Sequence, residues 1–382
     1  MMMMTIRLPI IVLVWWYTMM MMMQLSSFIR PVHSLASASA SASSTQKRPI
    51  QAVYAGPPER YPEYQKTLQQ AFQKSQLDVS LTKINDLTTT QQQHTINPSF
   101  VDYIIYSPNG PLQDFTPFTN LKAVLSLRAG VDGIVDNPTL PTSIPVARLV
   151  DPGLREGMVE YVVGHTLRYH LSIDKLWQQT HAGIWMSTRI IPSLARQRTV
   201  GILGLGELGG SCAEALTRLH FQVYGWSRTE KQQQKRSDHD HDNTIHCCHG
   251  PEGLDIVLAQ SDILVLLLPD TPETHHIIHR ETLSKCKPGV KLINVGRGSA
   301  IQEDDLLEAL HSGMVGGATL DVFQQEPLPR DHGFWNHPNV LITPHIAAKT
   351  RATTASTVIA ENIQRAERGE PLLYVVDREA GY

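Results

Sequence analysis

Short apolar runs alternate with polar, helix-compatible stretches along most of the chain. QAVYAG (51–56) predicts a strand, residues 61–75 a helix and LDVSLTKI (77–84) a second strand. VDYIIYS (101–107) and LKAVLSL (121–127) predict two more, with a Thr/Gln-rich loop over 87–97 before them. Apolar runs of this length that do not alternate in polarity suit strands buried on both faces, and strands alternating with helices build parallel sheets. After Asp151–Pro152 the pattern changes. Met158, Tyr161, Val162 and His165 recur at helical spacing and predict a long helix over 157–172. Strands and helices then alternate again, with strands at TVGILGL, FQVYGWS, ILVLLLP, KLINV, GATLDVF and NVLIT between residues 199 and 345. A last helix, predicted over 350–369, is expected to return to the first unit.

A chain of 382 residues is too long for one core, so two domains are expected. The 42% hydrophobic and 18% charged content and a net charge of −3 are those of an ordinary globular protein. No basic stripe interleaved with aromatics marks a nucleic-acid surface. The four cysteines, Cys212, Cys247, Cys248 and Cys286, form no C-x-x-C and do not resemble a disulfide framework, which favours a reducing compartment.

The N-terminus departs from this composition. No Asp or Glu precedes Glu59, and the apolar stretch Pro9–Met23 is fifteen residues long. A membrane span needs about twenty, so no stable insertion of the mature domain is expected. From Met23 onward the segment is Ser/Ala-rich, Arg-containing and acid-free, as organellar presequences are. A mitochondrial address is the first expectation, a cytoplasmic protein with a disordered tail the second and a secretory signal the third. The expected organisation is a targeting or disordered segment at 1–48, a first domain part at 49–150, a nucleotide-binding domain at 151–347 and a C-terminal return at 348–382. Within the nucleotide-binding domain, residues 230–253 are polar and His-rich. His239, His241, His246, Cys247, Cys248 and His249 match no zinc spacing, so a solvated insertion is expected and no metal site.

Two groups of residues carry chemistry. The first is Gly204-Leu-Gly206-Glu207-Leu208-Gly209, which follows the strand TVGIL and opens a helix predicted over 210–219. The first glycine permits a tight turn, the second lets backbone approach a pyrophosphate, and the third allows close helix–strand packing, with helix N–H groups facing the phosphates. The next strand ends in Ser227, Arg228 and Thr229 with no carboxylate before Glu230. A guanidinium pairs with a 2′-phosphate that a carboxylate would repel, so NADPH is expected as the preferred cofactor, with NADH second. The second group is Arg297, Glu326 and His345, each placed after an apolar run. Ligands of open α/β sheets bind outside the carboxyl ends of the strands, so these three can meet in one crevice. A cation, a carboxylate and an imidazole suit proton transfer on a small acidic substrate.

With these pieces the chain resembles the D-isomer-specific 2-hydroxyacid dehydrogenases, most of all their NADPH-dependent glyoxylate/hydroxypyruvate reductase branch. The likeness rests on LRAGVDGI (127–134), GMVEYVV, GILGLGELG, WSRT, LLLPDTPET, NVGRG, LDVFQQEPLP, TPHIAA and the terminal VDREAGY, in order after residue 50. The His-rich insertion and the N-terminal extension depart from it. The resemblance implies two α/β domains, each a parallel sheet with flanking helices, in which a Rossmann-type nucleotide-binding domain is inserted into a smaller flavodoxin-like substrate domain.

The resemblance also implies roles. His345 would give a proton to the ketone oxygen, and Glu326 would pair with His345 and favour its protonated form. Arg297 would bind the carboxylate of a 2-oxo acid, opposed by the N–H groups of Ala129, Gly130 and Val131. Leu268, Pro269, Val295, Gly296 and Ala347 would complete the cofactor contacts. Asp321 would contact the nicotinamide amide; a strand-end aspartate satisfied by backbone N–H groups is the other reading. An aromatic residue near Tyr106–Asn109 would flank the substrate. Glyoxylate or hydroxypyruvate would become glycolate or D-glycerate, in a homodimer formed through residues 157–172, with hinges at 150–152 and 344–348. The alternatives are another dehydrogenase of the same family, or a nucleotide-gated, corepressor-like binding protein. A formate dehydrogenase is disfavoured because Pro344, rather than Gln, precedes the histidine.

Overall fold

Two parallel sheets organise the molecule. The computed structural model describes residues 48–87, 97–131, 133–185, 193–230, 244–379 and 381. The first sheet contains β1 (Ile50–Ala55), β2 (Val79–Lys83), β3 (Tyr103–Tyr106), β4 (Ala123–Ser126) and the two-residue β5 (Val146–Ala147), in the order β2-β1-β3-β4-β5. The second contains β6 (Thr199–Leu203), β7 (Gln222–Ser227), β8 (Ile245–His249), β9 (Ile263–Leu266), β10 (Val290–Asn294), β11 (Val315–Leu320) and β12 (Val340–Ile342), in the order β12-β11-β10-β9-β6-β7-β8. The first order is that of flavodoxin-like folds. The second is the Rossmann order with one strand added beyond it. In the second sheet the strand order reverses between β6 and β9, and a crevice at such a switch point is where these sheets bind ligands.

Helix α1 (Tyr61–Lys74) starts with Pro62 and Glu63 in its first turn and buries Tyr64, Leu68 and Phe72, one stripe at four-residue spacing. Helix α8 (Ala352–Glu367) packs beside it, burying Ala355, Ile359 and Ile363 in the same core, and Thr67 Oγ1 lies 2.8 Å from Ser356 Oγ. The C-terminal helix therefore covers the first sheet. Helix α2 (Pro152–His170) begins five residues before the predicted start. Asp151 Oδ1 accepts from the Leu154 N–H at 3.3 Å, and Pro152 occupies the first helical position, where its missing N–H costs nothing. The apolar spacing that guided the prediction starts only after the two glycines of this first stretch.

The segment 230–253 requires a correction. Its last part is not a solvated insertion. β8 pairs in parallel with β7 from Val223↔Ile245 to Ser227↔His249 and forms the sheet edge. Ile245 is buried while His246 and His249 face out, the half-wet pattern of an edge strand that polar composition concealed. Trp226 Nε1 donates to the Gly250 carbonyl at 2.8 Å, and helix α5 (Gly250–Gln260) follows directly. His239 and His241 lie outside the described residues. Among the described residues, no group of three His, Cys, Asp or Glu is arranged to hold a metal, and no helix is long and apolar enough to cross a membrane.

Candidate active site

A cavity of about 1330 Å³ opens along the carboxyl ends of the second sheet and reaches the turn after β4 in the first. That volume exceeds the range usual for a drug-sized ligand and suits a dinucleotide with a small substrate.

At one end lies the glycine turn between β6 and helix α4 (Glu207–Arg218). Gly204 has φ +105°, and a side chain there would meet the Leu267 carbonyl oxygen at 2.5 Å. A Cβ on Gly209 would stand 1.8 Å from the Gly204 carbonyl oxygen, so only glycine lets the helix close on the strand. At Gly206 a Cβ would meet no protein atom within 4 Å. The protein alone therefore does not require glycine at this position, and the cleared backbone faces the cavity. The helix starts at Glu207, three residues earlier than predicted, so the N–H groups of Glu207 and Leu208 belong to its open first turn. Glu207 is held to one side by Arg155 at 3.4 Å.

Farther along, Ser227, Arg228 and Thr229 line the cavity at the end of β7, opposite Glu273 and beside Pro251 and Leu254. Arg228 Nη1 stands 3.8 Å from Glu273 Oε2, and both side chains are exposed. Leu268, Pro269, Val295, Gly296 and Ala347 line the stretch between the two ends.

At the other end three loops converge. After β10, buried Asn294 accepts from the Gly296 N–H at 3.2 Å through Oδ1 and donates to the Arg297 carbonyl at 2.9 Å through Nδ2. This clasp presents Arg297, whose Nη1 donates to the Gly296 carbonyl at 2.8 Å. A Cβ on Gly298 would overlap the Phe323 backbone at 1.9 Å, so glycine there lets the loop after β11 come close. That loop carries Glu326, whose Oε1 accepts from the Phe323 N–H at 3.1 Å and whose Oε2 lies 2.8 Å from His345 Nδ1. An ionised carboxylate only accepts, so Nδ1 is the donor and Nε2 is left for a ligand.

His345 is in the left-handed region with φ +53°, which costs a non-glycine residue roughly 1 kcal/mol or more. Asp321, 1% exposed, compensates. Its Oδ1 accepts from Thr343 Oγ1 at 2.5 Å and the Ile346 N–H at 2.8 Å, and its Oδ2 from the Ala347 N–H at 2.9 Å. The His345 N–H donates to the Asp321 carbonyl at 2.9 Å. Asp321 lines the cavity, and its carboxylate is engaged in shaping the histidine turn.

Ala129, Gly130 and Val131 line the cavity from the turn after β4. The aromatic expected near 106–109 does not reach it. The Tyr106 ring is buried 5.7 Å from the Phe115 ring, because strand alternation turns it into the core, and Ser107, Pro108 and Asn109 line the cavity instead. Sequence reasoning missed Tyr54, Arg60, Tyr64, Arg128 and Arg148, which line the same end. Burial, and after it the charge of Arg297, holds the Arg128 guanidinium below its ordinary pKa. Its place beside the AGVD turn was the only available signal.

Comparisons with known proteins agree with this geometry. The model of the D-isomer specific 2-hydroxyacid dehydrogenase NAD binding domain matches residues 163–347. The chain is 38% identical over 287 residues to a glyoxylate/hydroxypyruvate reductase A of Yersinia enterocolitica, covering 74% of this chain and 88% of that protein. A D-isomer specific 2-hydroxyacid dehydrogenase of Xanthobacter autotrophicus, solved with NADPH and MES, superposes with a TM-score of 0.77 at 37% identity, over 88% of this chain and 100% of that one. An NADPH-dependent glyoxylate/hydroxypyruvate reductase of Sinorhizobium meliloti, solved with NADP and sulfate, gives a TM-score of 0.74 at 32% identity with the same coverage.

Proposed function

The chain belongs to the D-isomer-specific 2-hydroxyacid dehydrogenase family, and from that premise we propose that it is an NADPH-dependent reductase of small 2-oxo acids. Glyoxylate would give glycolate, and hydroxypyruvate would give D-glycerate. The observation that carries this reading is the 2.8 Å His345–Glu326 pair in the cavity that also holds Arg297 and the glycine turn. The open room at Gly206 and the first turn of α4 fit a pyrophosphate. Ser227, Arg228 and Thr229 would hold the 2′-phosphate. The relatives solved with NADPH or NADP support this choice over NADH. Bound NADPH supplies a hydride to the carbonyl carbon.

The rest of the chemistry falls to the chain's own side chains. Arg297 binds the substrate carboxylate as a charge-assisted pair and draws electron density from the adjacent carbonyl. The N–H groups of Ala129, Gly130 and Val131 hold the carboxylate from the first sheet. His345 Nε2 gives a proton to the carbonyl oxygen as negative charge grows there. Glu326 holds Nδ1–H and fixes which nitrogen faces the substrate. Asp321 maintains the turn that aims the ring.

Beyond the chemistry, the exposed apolar residues Leu176, Trp177, Ile184 and Trp185, next to α2, support a homodimer built through this region. The acid-free, Ser- and Arg-containing leader supports mitochondrial import. A reporter fused behind residues 1–48 should then enter mitochondria; a cytoplasmic reporter refutes that address. The activity is tested by following NADPH loss with a panel of 2-oxo acids. His345→Asn should lower kcat by about 10²- to 10⁴-fold. No oxidation of NADPH with any 2-oxo acid, or an undiminished His345→Asn variant, overturns the assignment.

A further inference from the structure

The substrate end of the cavity carries more positive charge than one carboxylate requires. Arg60, Arg128, Arg148 and Arg297 all line it. The carboxylates that line the cavity are already engaged. Glu207 faces Arg155, Glu273 faces Arg228, Asp321 holds backbone and Thr343, and Glu326 holds His345.

Arg128 differs from the other arginines. Its backbone is pinned, with the N–H donating to Ser126 Oγ at 3.0 Å and the carbonyl accepting from the Leu149 N–H at 2.9 Å. Among the described residues, its half-buried guanidinium has no hydrogen-bond or ion-pair partner. The charged groups that act on it include Arg297 and Glu326 of the trio, together with Arg60 and Tyr64. Tyr64 adds an independent observation. It is 1% exposed, it lines the cavity, and its hydroxyl has no hydrogen-bond partner. A half-buried guanidinium beside a second guanidinium, with an unsatisfied phenol behind it, is costly without an anion to receive both donors.

We propose that Arg128 and the Tyr64 hydroxyl form a recognition subsite for a second anionic group, so that the preferred substrates are 2-oxo acids carrying a second carboxylate or a phosphate at the end away from the carbonyl. The proposal rests on the reductase reading above and narrows its substrate class. Arg297 takes the carboxylate next to the carbonyl. Arg128 offers a planar pair of N–H donors to the distal anion, and Tyr64 offers one O–H.

Kinetics with substrates matched in chain length test this. With NADPH, kcat/KM for 2-oxoglutarate should exceed that for 2-oxopentanoate by about 10- to 100-fold, and oxaloacetate should exceed 2-oxobutanoate similarly. Arg128→Gln should bring both ratios close to one, and Arg128→Lys should keep part of them. Phosphohydroxypyruvate against hydroxypyruvate distinguishes the two anions: a large ratio there with ratios near one for both diacids assigns the subsite to phosphate. Ratios near one for all three pairs, or ratios that survive in Arg128→Gln, overturn the proposal. Calorimetric binding of succinate against butyrate separates this failure from failure of the reductase reading. If no 2-oxo acid is reduced but succinate binds more tightly and Arg128→Gln abolishes the difference, the subsite stands and the reductase reading falls. Equal binding of the two acids overturns the subsite.

Discussion

Replacing Glu326 by Gln isolates the role of its charge, because the side chain keeps its shape. The carboxylate accepts two bonds, from His345 Nδ1 at 2.8 Å and from the Phe323 N–H at 3.1 Å. A glutamine has one accepting oxygen and one donating NH₂. Either orientation sets a donor against a donor, at Phe323 or at His345. A hydrogen bond to a charged group contributes about 1.5–3 kcal/mol when shielded from water. Here the side chains are 45% and 36% exposed, so solvent screening places the loss at the low end. About 1–2 kcal/mol in the transition state lowers kcat by about 5- to 30-fold. The KM for glyoxylate should change little, since Arg297 and the turn after β4 are untouched. The assay is steady-state NADPH oxidation, with a thermal melt to show that the variant is folded. Glu326→Asp, which retains charge but shortens the side chain, should recover part of the rate only if its carboxylate still reaches the ring. A folded Glu326→Gln enzyme with kcat within about twofold of wild type would show that the carboxylate does not position the imidazole, and the reasoning fails.

Three further outcomes follow from the same geometry. Arg228→Ala should raise the KM for NADPH by about tenfold or more and leave that for NADH within about twofold; equal losses would refute the 2′-phosphate contact. Asp321→Asn keeps one acceptor and sets an NH₂ against the N–H groups of Ile346 and Ala347 or the Thr343 hydroxyl. It should lower unfolding free energy by about 1–3 kcal/mol in a denaturant melt, and an unchanged midpoint would show that the turn stands without it. Burial holds the imidazoles of His165 and His170 below their ordinary value of 6.5, helped by Arg168 and Arg198 respectively. The folded protein keeps these rings neutral where the unfolded chain protonates, so unfolding takes up protons and stability falls as pH drops through and below 6.5. Thermal melts from neutral pH downward should show this slope, and His170→Gln should flatten it; an unaltered slope excludes that residue as a contributor.

Legibility along the chain followed how local each determinant is. ILVLLLP and KLINV are continuous apolar runs because their strands are buried on both faces, and sequence alone exposes them. β8 escaped because IHCCH lies at an edge, buries mainly Ile245 and follows a polar stretch. β5 is two residues long, too short to show any period. Arg297, Glu326 and His345 stood out because a parallel sheet sends all its carboxyl ends to one side, so polar residues after successive strands must converge. Asp321 was ambiguous for a related reason. A strand-end aspartate is equally placed to meet a ligand or the next loop, and the left-handed turn at His345 that decides between them has no sequence signature without glycine.

The opposing wall was the least legible part. Tyr64 lies on the buried stripe of α1, where apolar spacing predicts core and hides a hydroxyl, while Arg128 sits in a turn whose side-chain direction no period encodes. Their meeting with the trio depends on how the first sheet is carried against the second by residues 148–152 and 347–351. That placement is set by tertiary packing, including the Arg351 Nη1 bond to the Gly153 carbonyl at 2.6 Å and the Thr350 Oγ1 bond to the Leu127 carbonyl at 2.8 Å. The type of chemistry is therefore written in strand ends of one sheet, whereas the size and charge of the substrate are set by residues that only the folded chain brings opposite them.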